Sequence, residues 1–204
     1  MTWYADEIIL RATPGARETV MATPQFAPFS YHIRSVKGHA WYKREQEHGV
    51  TDDGLLVVRP VCGNSSHGFE WHGIPVLDWT TLEFEPRAES LLDQCVAKEL
   101  SEYLDEESLP PSSLRKAVAG LSLRTGEPVI YFGCGMWGGD IVYEYCLVYE
   151  PKESLVMTKP TPPPDPPGTE DALRAGLLKL GLRLPTPYFA PHTRDFPWRT
   201  HKLR

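Results

Sequence analysis

Two acids in one aromatic stretch are the residues best placed to do chemistry. In "YFGCGMWGGDIVYEYCLVYE" (131–150), Asp140 and Glu144 follow a glycine-rich turn. Alternate side chains of a strand share a face. On that count Ile141, Tyr143, Tyr145, Leu147 and Tyr149 lie on one side, and Asp140, Val142, Glu144, Cys146, Val148 and Glu150 on the other. Two carboxylates on one strand face could hold a divalent cation or divide acid–base work. No third ligand, histidine or lysine stands beside them in sequence. The same face serves equally as a half-exposed surface with solvated acids. It also serves as a recognition surface, where acids beside tyrosine and tryptophan meet a basic partner. The contact residues of a hairpin that covers a partner in this way would be Trp137, Asp140, Tyr143 and Glu144.

Other constellations are weaker. "CGMWGGD" lacks both the GKS/GKT ending of a phosphate loop and a G-x-G-x-x-G order before a helix. Its glycines suit a turn between antiparallel strands. Cys62, His67 and His72 are zinc-competent types, but their C-x4-H-x4-H spacing matches no usual zinc form. Loop residues are the simpler reading of that Gly/Ser-rich segment. No G-x-S-x-G elbow surrounds Ser65 and Ser66. No metal or other cofactor is expected.

The elements that must position these residues read as α+β. Residues 3–10, "WYADEIIL", form a strand ending at the turn signal "TPG". "KGHAWYKREQEHG" suggests a short helix closed by Gly49, and "GLLVVRPV" (54–61) a buried strand. "FEWHGIPVLDWTTLEFEP" holds two or three short strands. Residues 86–107 carry apolar residues, Cys95 among them, at helical spacing with charges between. A second helix starts at "PPSSLRKAVAGL", capped by Ser112 or Ser113, and buries Leu114, Ala117, Val118 and Leu121. Strands 128–134, 141–150 and 154–159 follow as an antiparallel meander. "TEDALRAGLLKLGL" is a last helix, capped by Thr169, ended by Gly181 and docked through Leu173, Leu177 and Leu180. The fold expected is therefore an antiparallel β-sheet meander packed against two or three helices.

Six of the chain's 20 prolines fall in "KPTPPPDPPG". That concentration marks a stiff extended spacer. Three segments result: a single α+β domain over 1–158, a proline-rich linker over 159–168, and a C-terminal helix and basic tail over 169–204 docking on the domain. The basic residues of "HTRDFPWRTHKLR" are expected to be solvated. With 27 acids against 21 bases, the net charge of −6 disfavours nucleic acid, which draws on Lys and Arg for its phosphates. No apolar run reaches the ~18 residues of a spanning helix, so no membrane role is expected. The first residues carry acids and no basic region, unlike a signal peptide. The expected location is the cytoplasm, with Cys62, Cys95, Cys134 and Cys146 reduced.

Residues 112–151 carry a short helix, the strand "VIYF", a W-G-G-D turn and the strand "YEYCLVY". This pattern resembles segments of small cytoplasmic immunity proteins from bacterial toxin–immunity systems, over about a fifth of the chain. The resemblance implies a non-enzymatic protein that binds one cognate toxin and covers its functional surface. An acidic surface suits a basic toxin site. The alternatives are a small enzyme using Asp140 and Glu144 as metal-binding or acid–base carboxylates, and a structural subunit docked through the C-terminal helix.

Overall fold

The computed structural model of the protein describes residues 3–34, 36–37, 47–48, 52–61, 77–78, 110–137, 140–152, 154–158, 172–182 and 197–204. Ten strands and three α-helices lie in this range. The strands are β1 (Trp3–Arg11), β2 (Ser30–Ile33), β3 (Val36–Lys37), β4 (Glu47–His48), β5 (Leu55–Val58), β6 (Pro60–Val61), β7 (Leu77–Asp78), β8 (Val129–Trp137), β9 (Asp140–Tyr149) and β10 (Ser154–Thr158). The helices are α1 (Pro14–Met21), α2 (Ser112–Thr125) and α3 (Ala172–Lys179). Six strands form one antiparallel sheet in the order β10-β9-β8-β1-β5-β2. This is the expected α+β architecture. The meander β8-β9-β10 is present, but β1 lies beside β8 and makes the first strand a central one.

Both faces of the sheet are covered. On one, Ile8, Leu10, Leu56, Val58, Tyr131, Tyr145 and Leu147 pack against Ala16 and Val20 of α1 and Leu114, Val118 and Leu121 of α2. On the other, Ile9, Leu55, Val57, Ile130, Phe132, Cys146 and Val148 pack against Leu173 and Leu177 of α3, Leu180 just after it, and Trp198. The four residues of β5 are buried on both faces, which is why "LLVV" shows no polar alternation.

The helix ends follow from local chemistry. "TPG" does not simply turn the chain. Thr13 caps α1 by accepting the Ala16 N–H at 3.3 Å, with Pro14 in the first turn. A proline there loses no hydrogen bond the helix needs. Helix α2 is preceded by Pro111 and has no side-chain cap, so neither serine caps it. It ends at Gly126, whose φ of 68° is left-handed. Helix α3 closes in a Schellman arrangement: Leu182 N donates to Leu177 O and Gly181 N to Leu178 O, both at 3.0 Å. Leu177 and Leu182 bury together in the same core. The helix expected near Gly49 is corrected at Glu47–His48, which pair with Val36–Lys37 as strands.

The described part of the basic tail is anchored to the sheet, while Arg199 and Arg204 remain exposed, as expected of its basic residues. Trp198 is 2% exposed. Leu203 N donates to Ser30 O at 3.0 Å, and Lys202 bridges to Tyr31 at the sheet edge. The Trp198 ring meets Tyr31 edge-on at 5.0 Å and lies under the Arg59 guanidinium at 4.6 Å. Arg59 also pairs with Glu7 of β1 at 3.2 Å, with both side chains nearly excluded from solvent. Removing one partner of such a pair strands a buried charge. Arg59→Ala should therefore lower stability by about 3–5 kcal/mol. The joint Glu7→Gln, Arg59→Met variant should lose clearly less, read by urea unfolding monitored at Trp fluorescence.

Candidate functional site

The hairpin β8–β9 holds the residues singled out from the sequence, but it does not present them alike. Its register runs Cys134↔Glu144, Gly135↔Tyr143, Met136↔Ile141 and Trp137↔Asp140. Val142 is left over as a bulge on β9. Three pair positions, an odd number, now separate Asp140 from Glu144. Simple alternation therefore no longer puts the two acids on one face.

Glu144 is only 3% exposed. Its Oε1 accepts the backbone N–H of Leu173 at 2.8 Å, in the first turn of α3. A carboxylate at that end satisfies an orphan donor and meets the positive end of the helix dipole. Glu144 is thus a cap supplied from the sheet, not an acid open to a partner or a cation. Thr169, expected to cap this helix, lies outside the described residues. From there α3 runs along β9: Gly176 sits against Cys146, where a Cβ would overlap the sulfur, and Lys179 reaches Glu150 at 3.4 Å. The described part of this helix thus covers β9 from Glu144 to Glu150 and leaves the Asp140–Tyr143 end beyond its N-terminus.

Tyr143 is partly buried on the opposite face and stacks on Tyr145, which stacks on Tyr131, each at 6.2 Å. The ladder has room because Gly133 and Gly135 face it: a Cβ at either would overlap the ring of Tyr145 or Tyr143. Tyr131 donates its hydroxyl to Asp6 Oδ1 at 2.9 Å. Burial raises the Asp6 carboxyl to about 7, with Glu7 adding to the rise and Tyr131 opposing it. Asp6, passed over in the sequence because it sits in an ordinary strand, is thus a carboxyl that titrates near neutrality.

A second site lies at the other edge of the sheet. Arg17 of α1, His32 at β2, Arg34 and the segment Arg199–Arg204 line a groove of about 620 Å³. Its cations are Arg17, Arg34, Arg199, Lys202 and Arg204. Among the described lining residues there is no acid. The nearby Asp53 pairs with Arg11 at 2.9 Å, and its carbonyl meets His32 Nε2 at 2.9 Å. His201 Nδ1 faces the His32 carbonyl at 3.3 Å, and burial lowers its pKa. Arg17 Nε is buried and has no hydrogen-bond partner among the described residues. The sequence signalled the tail's charge, but not the residues it would meet.

Cys134 and Cys146 form no disulfide and are buried on one face; across the strands Cys134 stands opposite Glu144 and Cys146 opposite Phe132. Burial, aided by the Glu144 carboxylate, pushes the Cys146 thiol far up and makes it a poor nucleophile. Cys62, His67, His72, Cys95, the helix expected over 86–107 and the proline-rich stretch lie outside the described residues. Among the described residues no group of three His, Cys, Asp or Glu could hold a metal ion. No described helix is long and apolar enough to cross a membrane.

Two variants check this geometry. Glu144→Ala should cost about 1–2 kcal/mol, the usual loss of a helix cap. The first α3 amides should exchange faster with solvent while those of β1 and β8 stay protected. Asp6 has a folded pKa above its unfolded one, so the folded state binds the extra proton between about pH 4 and pH 7. Stability from this group is present at the acid end of that window and is lost as pH rises through about 7. Asp6→Asn should therefore gain Tm relative to the parent at pH 8 compared with pH 5. Set against protein-family models, curated proteins and solved structures, the chain matches none of them.

Proposed function

We propose that the protein acts by binding a protein partner through the turn end of the β8–β9 hairpin, without chemistry of its own. The observation that carries this reading is the course of α3. It begins at Glu144 and runs toward Glu150, so the described helix leaves Trp137, Asp140 and Tyr143 at the hairpin's outer register positions. These residue types suit an interface centre: aromatic anchors beside a charge that fixes register. Glu144 drops out of the contact set and becomes the residue that seats α3 behind it. The form of this function that the 112–151 resemblance implies is neutralisation of a cognate toxin in the cytoplasm, by covering the toxin's functional surface.

The test is capture of a partner from native cells by the tagged protein, followed by titration of the purified pair. Trp137→Ala with Asp140→Lys should weaken that pair by roughly 100-fold or more, about 2.7 kcal/mol. Its circular dichroism and Tm should remain those of the parent. A toxin partner should also lose its toxicity when co-expressed with the parent and keep it with the variant. An undiminished affinity in the folded variant would remove the hairpin from the interface.

A further inference from the structure

We infer that the basic groove between α1, β2 and the C-terminal segment binds a small, multiply phosphorylated molecule. This site is separate from the hairpin and does not rest on it. Its four arginines come from remote parts of the chain: Arg17 from the first helix, Arg34 from the end of β2, Arg199 and Arg204 from the last residues. The protein as a whole carries net charge −6, yet the described residues that line the groove include five cations and no acid. Converging like charges repel, and a fold that holds them together is relieved by an anion placed among them.

The convergence is built on rigid parts. Trp198, between Arg59 and Tyr31, fixes the start of the segment. The Leu203 amide bond to Ser30 and the Tyr31–Lys202 bridge fix its end. The Lys202 ammonium is engaged by the Pro28 carbonyl and lies 5.1 Å from the Tyr31 ring centre. It therefore lends charge, while the guanidinium groups of Arg17, Arg34 and Arg204 supply the donors. Arg17 Nε, buried without a hydrogen-bond partner among the described residues, is one such donor.

The lining also narrows the ligand. Planar guanidinium forks match phosphate oxygens two at a time. Among the described residues no Phe, Tyr or Trp lines the groove, so they offer no ring for a nucleobase to stack on. A volume of about 620 Å³ suits a compact small molecule with several phosphates.

The experiment is calorimetric titration of the full-length protein with inorganic tripolyphosphate, beside a hexaglutamate peptide at matched ionic strength. One saturable site for tripolyphosphate is expected, together with a rise in Tm. Arg17→Ala with Arg34→Ala should weaken it by about tenfold or more. Arg124→Ala, on an exposed residue of α2 outside the groove, should leave the affinity unchanged and serves as the control for net charge. Arg34→Ala alone, on an exposed residue, gives the same direction should the double variant fail to fold. No saturable heat, equal affinity in the groove variants, or tighter binding of hexaglutamate than of tripolyphosphate would each overturn the assignment.

Discussion

The ion pair between Glu7 and Arg59 is the constraint on which the arrangement of this protein turns. A carboxylate in the middle of a central strand, fully buried, is costly unless a cation meets it. Arg59 follows β5 and reaches Glu7 across the sheet at 3.2 Å. The same guanidinium covers Trp198 from a segment that lies about 140 residues further along the chain. One buried charge thus links the first strand, the fifth and the last residues. Pairs of this kind contribute little over an apolar replacement, yet breaking one is expensive. The penalty attaches to any arrangement in which Trp198 and Arg59 are displaced, and so the basic groove inherits its geometry from this pair.

A parallel dependence holds at the other end of the sheet. Glu144 is also a buried acid, but its counterpart is the first turn of α3 rather than a side chain. Close approach of that helix requires Gly176 over Cys146, as close approach of the tyrosine ladder requires Gly133 and Gly135. Small residues stand where a backbone or a ring must lie flat on the sheet. The hairpin behind its turn end therefore has one face braced by α3 from Glu144 onward and the other by stacked tyrosines, which gives a rigid base to whatever its outer positions contact.

Much of the local structure was legible. The α2 stripe of Leu114, Ala117, Val118 and Leu121, the buried run at 55–58, the three strands after Gly126 and the Gly181 stop follow from periodicity and end signals. Where the sequence misled, a competing local rule had the stronger claim. "TPG" carried a turn signal, but also a threonine cap and a first-turn proline, and the helix prevailed. Asp140 and Glu144 alternate correctly in sequence, and one extra residue at Val142 undoes the count. A bulge leaves no mark in composition, because it is set by how β9 must fit β8. The tail's anchoring was hidden because four of its last six residues are basic or histidine. Its Trp198 was the overlooked sign, a large apolar ring that needs a place to be buried.

The amino-acid sequence by itself determined the α+β class, the strand and helix inventory around the hairpin, and which leucines of α3 turn inward. Those depend on neighbours within about one or two helical turns. Only the tertiary structure decided that β1 is central, that Glu144 caps a helix 29 residues away in sequence, that Asp6 sits where burial holds its proton, and that arginines from both ends of the chain share one groove. The first is a matter of long-range strand pairing, and the others are electrostatic outcomes. The cost of a buried or crowded charge depends on which distant group stands opposite it, and no local pattern in the sequence records that.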